Sequence, residues 1–407
     1  MTTTRLAVCR NAEVSIVAHY DLPTGERLVP YSVTNNLIAT NCVLLPSDVE
    51  DFGGKEELLD AVRAYIHRYV DLTPIFEEIA AHYVLLTWVY DAFNELPYLR
   101  LRGDYGTGKT RGLMTIGSIC YKPFFASGAS TVSPIFHVLD AMGATLILDE
   151  ADLRFSDATA DLTKLLNNGH VRGLPILRTM TNRHHELNPR AFRVFGPKIV
   201  GMRNNFNDPA LESRFLTEET GNRALRKDVP IHTPDQLHAD AVQLRNRLLA
   251  WRFHARHQVG PDLTRLIEGL EPRRNQIALS LLSLVDDGDL RERVRHELVG
   301  AEARVLQERA STLEATMLRC LLEVFNSSKA SFASVSDVTR RFNQAAEAEI
   351  GKLVTAKWAG SFMRTKLKLE TIKTGGVYVV PCTERSKIHV LAKRYGITMP
   401  IPAAIQR

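Results

Sequence analysis

A glycine-rich segment between a strand pattern and a helix pattern constrains this chain more than any other feature. Residues 103–110 read Gly-Asp-Tyr-Gly-Thr-Gly-Lys-Thr, a full match to the phosphate-binding pattern G-x-x-x-x-G-K-T. Residues 99–102 before it are typical of a strand, and residues 109–120 after it are typical of a helix. Glycines let the loop amides and the helix N-terminus face phosphate oxygens. The sequence therefore predicts a nucleotide-phosphate site in an α/β domain, against the alternative of a glycine-rich turn before a core helix.

The same segment supplies candidate ligands for ATP and Mg²⁺, the two expected cofactors. Lys109 is expected to place its ammonium group at the β- and γ-phosphate oxygens, and the Thr110 hydroxyl is expected to ligate Mg²⁺. The other residues assigned to nucleotide binding are Gly103, Asp104, Tyr105, Gly106, Thr107, Gly108 and Arg111.

A second run of residues indicates hydrolysis as well as binding. Residues 144–148, which are apolar except for Thr145, are followed by Asp149 and Glu150. A continuous apolar run is typical of a buried parallel strand, and carboxylates at its carboxyl end lie where such sheets bind ligands. Asp149 is expected to hold Mg²⁺ through water, and Glu150 to orient and deprotonate the attacking water. Without the glycine-rich loop, the run could equally be a strand entering a solvated loop.

Composition places the chain among ordinary globular proteins. Its 407 residues predict about two to three domains. The 45% apolar and 24% charged fractions exclude collagen-like, disordered and disulfide-scaffold classes. The five cysteines are widely spaced and form no C-x-x-C pair, so a zinc site or disulfide framework is not expected. Residues 1–14 have no signal-peptide core, and the longest apolar stretch is far below the roughly 18–20 residues of a membrane span. We expect a soluble cytoplasmic protein without a membrane partner.

The chain divides into four predicted segments. Residues 1–54 are a small β-rich module, 55–232 a helical lead-in and an α/β core, 233–302 a helical segment, and 303–407 a compact α+β domain that begins with one helix over 303–324. One helix of the third segment contains four arginines that are predicted to form a solvated or inter-subunit face: Arg245, Arg247, Arg252 and Arg256.

The order of motifs resembles AAA+ ATPases over residues 75–300. After the two motifs above, the predicted strand 198–202 ends in Arg203 and Asn204, and Ser213-Arg214-Phe215 follows. The resemblance implies a three-layer P-loop core in which residues 233–302 are the helical lid. It also implies that Asn204, or in competition Arg203, is the sensor 1 residue at the γ-phosphate or the lytic water.

Two further arginine roles follow from the resemblance. In minichromosome-maintenance-type helicases the Arg of Ser-Arg-Phe is an arginine finger given to the neighbouring subunit, so Arg214 would act in trans; a surface salt bridge is the alternative. Arg274, with Arg273 as the fallback, would be the sensor 2 residue of the lid, unless both simply cap a solvated helix end.

A predicted hairpin between Asp149 and Arg203 resembles the pre-sensor-1 hairpin of hexameric DNA helicases. Residues 174–181 and 191–195 have strand patterns, and their connection contains Arg183, His184 and His185. This tip is similar to the Lys-His tip of superfamily 3 viral helicases, which implies a homo-hexamer with single-stranded DNA in its channel. The alternatives are a solvated loop and a metal site, although two adjacent histidines supply only half of a metal site. The resemblance to minichromosome-maintenance helicases is weaker in two places: the predicted helix 133–141 is short, and residues 1–54 do not resemble their zinc-bearing N-terminal domain.

The last domain carries the charge asymmetry of the chain. Residues 329–394 contain 13 basic and 5 acidic residues, a balance of +8, whereas the whole chain has +5. The pattern helix, helix, hairpin with a Gly375-Gly376 turn resembles a winged helix, and the charge indicates a polyanion partner. The candidate contacts to duplex DNA are Arg364, Lys366, Lys368 and Lys373. A structural or regulatory role is the alternative.

Together these features predict an ATPase that acts with DNA. The first hypothesis is a ring-forming AAA+ DNA motor, a helicase or helicase-like replication protein of a mobile element. The second is a DNA-associated AAA+ switch that does not unwind DNA, such as a helicase loader, a transposition regulator or a defence ATPase. A small-molecule kinase is disfavoured, because it would need neither Ser213-Arg214-Phe215 nor a basic C-terminal domain.

Overall fold

The computed structural model describes residues 3–151, 157–181, 187–206, 208–327 and 332–397. The chain forms two compact units, Met1–Arg295 and His296–Arg407. None of the described helices is both long enough and apolar enough to cross a membrane.

The first unit begins with two hairpins and three helices. These elements are β1 (Leu6–Arg10), β2 (Glu13–Val17), β3 (Tyr20–Asp21), β4 (Arg27–Leu28), α1 (Asn36–Ala39), α2 (Lys55–Tyr69) and α3 (Pro74–Val89). Residues 37–45 have an alternating pattern that is typical of a strand, but residues 37–39 lie in helix α1. The reason is local, because the Asn35 side chain accepts a hydrogen bond from the Leu37 amide and caps the helix.

The α/β core follows as the sequence predicts. Its elements are β5 (Tyr98–Arg102), α4 (Lys109–Ser118), β6 (Pro123–Ser127), α5 (Val132–Met142), β7 (Thr145–Asp149), α6 (Asp157–Asn168), β8 (Ile176–Thr181), β9 (Leu187–Phe192), β10 (Lys198–Met202), α7 (Pro209–Glu212) and β11 (Phe215–Glu219). Five of these strands form a parallel sheet in the order β11-β5-β10-β7-β6. The predicted mixed α/β class is confirmed.

The register of this sheet brings three strand ends together. Met202 of β10 pairs with Arg102 of β5, and Val200 pairs with Leu148 of β7. All three strands run in the same direction, so the residues that follow them lie at one edge of the sheet. That edge is the crevice in which open parallel sheets bind ligands.

Three helices complete the first unit and begin the second: α8 (Gln236–Ala255), α9 (Pro272–Leu282) and α10 (Gly288–Ala310). The four arginines of α8 and its end do not form the predicted solvated face. Arg245 is only 5% exposed and donates to the Ser118 carbonyl at 2.6 Å, and Arg252 pairs with Asp91 at 2.9 Å. Arg247 and Arg256 likewise pair with carboxylates of the same unit. The prediction is wrong because these groups attach α8 to the core of its own chain.

Strands β8 and β9 form the predicted hairpin, with Ile176 opposite Phe192. The second strand begins at Leu187 rather than Ala191, so the connection is shorter than predicted. Its tip, with Arg183, His184 and His185, lies outside the described residues.

After α10, the described residues of the second unit form the α-helices and strands α11 (Leu313–Ser327), β12 (Phe332–Ser334), α12 (Val335–Ile350), α13 (Ala356–Thr365), β13 (Ile372–Thr374), β14 (Val377–Pro381) and α14 (Arg385–Arg394). The prediction of a single helix over residues 303–324 is wrong, because these residues are divided between α10 and α11. The Thr312 hydroxyl accepts from the Ala315 amide and so starts a new helix. Gly375 and Gly376 both have positive φ, as the predicted hairpin turn requires.

Lys198, the first residue of β10, makes the stability of the first unit depend on pH. Its side chain is completely buried, and Nζ donates to the carbonyls of Gly196 at 2.8 Å, Val194 at 2.9 Å and Gly169 at 3.2 Å. Burial lowers the pKa of Lys198 to about 7. Above that pH the unfolded chain binds one proton more than the native chain, so stability increases with pH.

We therefore expect the free energy of unfolding to gain roughly 2 kcal/mol from Lys198 between pH 7 and 9. Urea unfolding at both pH values measures the gain, and Lys198→Met is the control that removes the titrating group. An equal pH dependence in the variant would show that Lys198 does not titrate in this range.

Candidate nucleotide site

The phosphate loop between β5 and α4 has a backbone that requires glycine. Gly106 and Gly108 have φ of 70° and 87°, in the left-handed region that side chains disfavour. Gly108 is the residue that precedes α4, so this conformation leads the chain directly into the N-terminus of the helix. A helix N-terminus with its unpaired amides favours bound anions.

Lys109 lies at the first turn of α4 and is held at the loop. Its Nζ donates to the Asp104 carbonyl at 2.6 Å, within the same loop. Thr107 donates to the same carbonyl at 2.8 Å and contacts the Thr220 hydroxyl at 2.8 Å. The loop is therefore braced on both sides, with an ammonium group placed beside it.

The candidate metal ligands of the loop and of β7 meet directly. The Thr110 hydroxyl donates to Asp149 Oδ2 at 2.7 Å, and Asp149 Oδ1 accepts from the Glu150 amide at 2.9 Å. Hydroxyl and carboxylate oxygens are the donors that Mg²⁺ prefers. The residues present thus fit a magnesium ion, with Thr110 and Asp149 as the groups that would hold it.

Glu150 has the most unusual backbone of the site. Its φ is 55°, a left-handed conformation that costs a non-glycine residue about 1–2 kcal/mol. Such backbone strain persists where the surrounding structure enforces it, and it is concentrated at functional sites. The strain supports the assignment of Glu150 to the chemistry.

These groups line one cavity of about 420 Å³ at the carboxyl edge of the sheet. This volume is within the ~300–1,000 Å³ range of ligand pockets. Its lining residues are Tyr105, Gly106, Lys109, Thr110, Gly128, Asp149, Glu150, Gly201, Met202, Arg203 and Asn204. The structure therefore brings together both predicted motifs and both sensor 1 candidates.

Gly128, which follows β6, is a residue of the site that sequence reasoning missed. A Cβ atom there would lie 2.5 Å from the Glu150 carbonyl oxygen, so a larger residue would displace the strained turn. The available signal was a glycine directly after a strand pattern.

Other predicted residues lie away from the cavity. Arg111 bonds the Pro230 carbonyl, and it donates to the Ile231 carbonyl at 3.0 Å. Arg274 is buried, Arg273 is exposed, and neither is among the described residues that line the cavity.

Arg214 lies at the opposite edge of the sheet. It directly precedes β11, whose first residue Phe215 pairs with Tyr98, the first residue of β5. Arg214 is only 6% exposed and bonds Asn167, and among the described residues its Nε has no hydrogen-bond partner. Burial lowers the pKa of the Arg214 guanidinium. The phosphate loop follows the far end of β5, so the length of that strand, about 15 Å, separates Arg214 from it.

Asp149→Asn is expected to weaken Mg²⁺-dependent nucleotide binding by about 10–100-fold, because an amide replaces the anionic partner of Thr110. Binding measured in EDTA should change little. Titration of a fluorescent nucleotide with and without Mg²⁺ separates the two effects. Equal loss in both conditions would assign Asp149 to the fold of the loop rather than to the metal.

Comparisons with known proteins give only distant similarities. A scan against models of protein families and a search of curated proteins find no match. Among solved structures, the chain is similar to the apo NrS-1 C-terminal region, with 11% identity, 94% of each chain covered and a TM-score of 0.40. It is also similar to "SCCmec type IV Cch - active helicase", with 12% identity, coverage of 92% of this chain and 80% of the other, and a TM-score of 0.35. It is also similar to Cdc6p from Pyrobaculum aerophilum, with 14% identity, coverage of 82% of this chain and 98% of the other, and a TM-score of 0.24. Similarity at this level leaves the functional argument to the geometry of the site itself.

Proposed function

We propose that this chain is an ATP-hydrolysing, ring-forming AAA+ DNA motor, a helicase or helicase-like replication protein of a mobile element. The observation that carries the proposal is the 2.7 Å contact between Thr110 and Asp149, with Glu150 beside it in the same cavity. ATP hydrolysis needs a phosphate-binding loop, residues that ligate Mg²⁺ and a second carboxylate that acts on the attacking water.

The charged and polar side chains that line the cavity have the following proposed roles in this reaction. Lys109 and the loop amides bind the phosphates, and Thr110 with Asp149 holds Mg²⁺, which neutralises phosphate charge when bound. Glu150 orients the attacking water and accepts its proton. Asn204 or Arg203 contacts the γ-phosphate, since both line the cavity.

The position of Arg214 supports the proposed assembly of identical subunits, for which we propose a homo-hexamer. An arginine at the amino edge of the sheet cannot serve the cavity at the carboxyl edge of its own chain. It can serve the cavity of a neighbour, provided that its side chain turns outward at the interface. The buried Nε without a hydrogen-bond partner among the described residues supports this, because an unpaired buried donor is unfavourable.

Duplex DNA is the proposed partner of the second unit, which we interpret as a winged helix. Arg364, Lys366, Lys368 and Lys373 are exposed on α13, on the segment after it and on β13. Arg364 donates to the Thr371 hydroxyl at 2.7 Å, which orients its side chain. Single-stranded DNA in the ring channel is the proposed partner of Arg183, His184 and His185.

The double substitution Lys366→Gln and Lys373→Gln is expected to weaken duplex binding at all sequences. The slope of log affinity against log salt should fall by about 2, since each phosphate contact contributes about 0.9. Fluorescence anisotropy between low and moderate salt measures the slope. Lys393→Gln on α14 is the matched control, and an unchanged slope in the double variant would place DNA elsewhere.

One observation favours a second candidate, a DNA-associated AAA+ switch that does not unwind DNA. The cations of the described hairpin arms are engaged within the chain. Arg178 pairs with Asp161 at 2.8 Å, and Arg190 and Arg193 pair with Asp140 at 3.3 and 3.1 Å. Hydrogen bonds from the two arginines outweigh the effect of burial and hold the pKa of Asp140 below its usual value. Among the described residues of the two arms, every arginine therefore has a carboxylate partner within the chain, which is unfavourable for contacts to a DNA strand.

Strand displacement measured beside DNA-stimulated ATP hydrolysis tests the proposed function. A motor is expected to hydrolyse ATP faster with forked DNA and to displace the strand. Stimulation without displacement supports the switch, and a chain without ATP hydrolysis contradicts both.

A further inference from the structure

We propose that Tyr105 is a positioning residue, which holds the Arg203 guanidinium over the phosphate loop so that the site distinguishes a nucleoside triphosphate from a diphosphate. The inference rests on the proposed function, since it assumes that the cavity binds ATP. It adds a residue whose side chain the phosphate-binding pattern leaves unspecified.

The contact joins two loops at one edge of the sheet. Tyr105 lies in the loop after β5, and Arg203 directly follows β10. Because Met202 pairs with Arg102, the two loops leave the sheet side by side. The guanidinium carbon of Arg203 lies 3.4 Å from the centroid of the Tyr105 ring, well within the ~6 Å of a cation–π contact.

The position of the ring is informative because packing does not explain it. Tyr105 is 72% exposed, so no apolar core holds it. Its amide donates to Asp104 Oδ1 at 2.7 Å, which fixes the root of the side chain on the loop. The contact that the ring makes is therefore through its face, on which the planar guanidinium of Arg203 stacks. A planar guanidinium stacks on such a face better than an ammonium group does.

The positive charges that line the cavity indicate what the stacked Arg203 side chain does. Among the described lining residues, the cations are Lys109 and Arg203. Lys109 is held at the base of the loop by the Asp104 carbonyl, and Asp149 is bonded to Thr110. Arg203 follows β10 rather than the phosphate loop, so it adds a second cation to the cavity lining, and we assign this cation to the γ-phosphate that a diphosphate lacks. Stacking occupies the face of the guanidinium and directs its in-plane N–H groups to hydrogen bonding.

The test is nucleotide discrimination by the full chain in Mg²⁺. Isothermal titration gives the Kd of ADP and of a slowly hydrolysed ATP analogue for the wild type, Tyr105→Leu, Tyr105→Phe, Arg203→Ala and the Leu/Ala double variant. We expect Tyr105→Leu to reduce the ratio of the two affinities about fivefold, mainly through the triphosphate. Tyr105→Phe keeps the ring face and should keep the ratio. The double variant should lose no more than Arg203→Ala, because both changes remove the same contact.

Three results would overturn the inference while the proposed function stands: an unchanged ratio in Tyr105→Leu, an equal loss for both nucleotides, or additive losses in the double variant. Each would be seen beside a wild type that binds and hydrolyses ATP. A wild type that binds neither nucleotide would overturn the proposed function, and the inference with it. Because Tyr105 is exposed, the variants should unfold at the same temperature as the wild type.

Discussion

Replacing Glu150 with Gln is expected to lower ATP turnover by about 10²–10⁴-fold and to leave nucleotide affinity nearly unchanged. A positioned general base contributes a factor of this size, and an amide cannot accept the proton of the attacking water. Gln has the same shape as Glu, so the left-handed turn at this position should persist, and so should the hydrogen bond that the backbone amide of residue 150 donates to Asp149 Oδ1. Phosphate release under steady state and titration of a fluorescent nucleotide measure the two quantities separately.

The matched control for this substitution is Glu13→Gln, which removes an exposed carboxylate from β2. The control should hydrolyse ATP at the wild-type rate. Normal turnover by Glu150→Gln would mean that another group is the base. Loss of both turnover and nucleotide affinity would instead mean that the residue maintains the loop.

The nucleotide site could be predicted because its information is local in the sequence. Glycines at fixed spacing, a lysine and a threonine occur within one short segment, and each residue type has one physical use there. The β7 strand could be predicted for the same reason, since a continuous apolar run has few other uses in a soluble core. The structure adds that both motifs meet at Thr110 and Asp149.

The arginines of α8 show what a local pattern cannot give. A basic helix face looks the same whether its partners are water or carbonyl groups. The acceptors here are Ser118 and Asp91, which are distant in sequence and become neighbours only in the folded chain. The stacking of Arg203 on Tyr105 escaped prediction for the same reason.

The second strand of the hairpin shows a different limit. Asn188 and Pro189 have the composition of a turn, yet they lie within β9 opposite Met180 and Thr179. Proline is tolerated at the edge of a sheet, where its missing donor has no partner to lose. Pairing register, which the sequence does not encode locally, decides where such a strand begins.

Arg214→Met is expected to lower ATP hydrolysis by about 10³–10⁵-fold, the contribution of an arginine finger, with little effect on nucleotide affinity. Methionine fills a similar buried volume without a charge, so the subunit should remain folded. Thermal unfolding and nucleotide titration check these two conditions, and phosphate release measures the loss. A variant that hydrolyses ATP normally would show that Arg214 serves only its own fold, through Asn167.

The decisive form of this experiment mixes two inactive chains. Lys109→Ala subunits bind no nucleotide but still present Arg214, whereas Arg214→Met subunits bind nucleotide but present no finger. If copies associate at random in a ring of head-to-tail interfaces, about a quarter of the interfaces in an equal mixture combine an intact cavity with an intact finger. Activity should therefore reappear at about a quarter of the wild-type rate, although each chain alone is inactive. Activity cannot reappear if every site is completed within one chain, so a silent mixture of chains that do assemble would place the missing cation in cis.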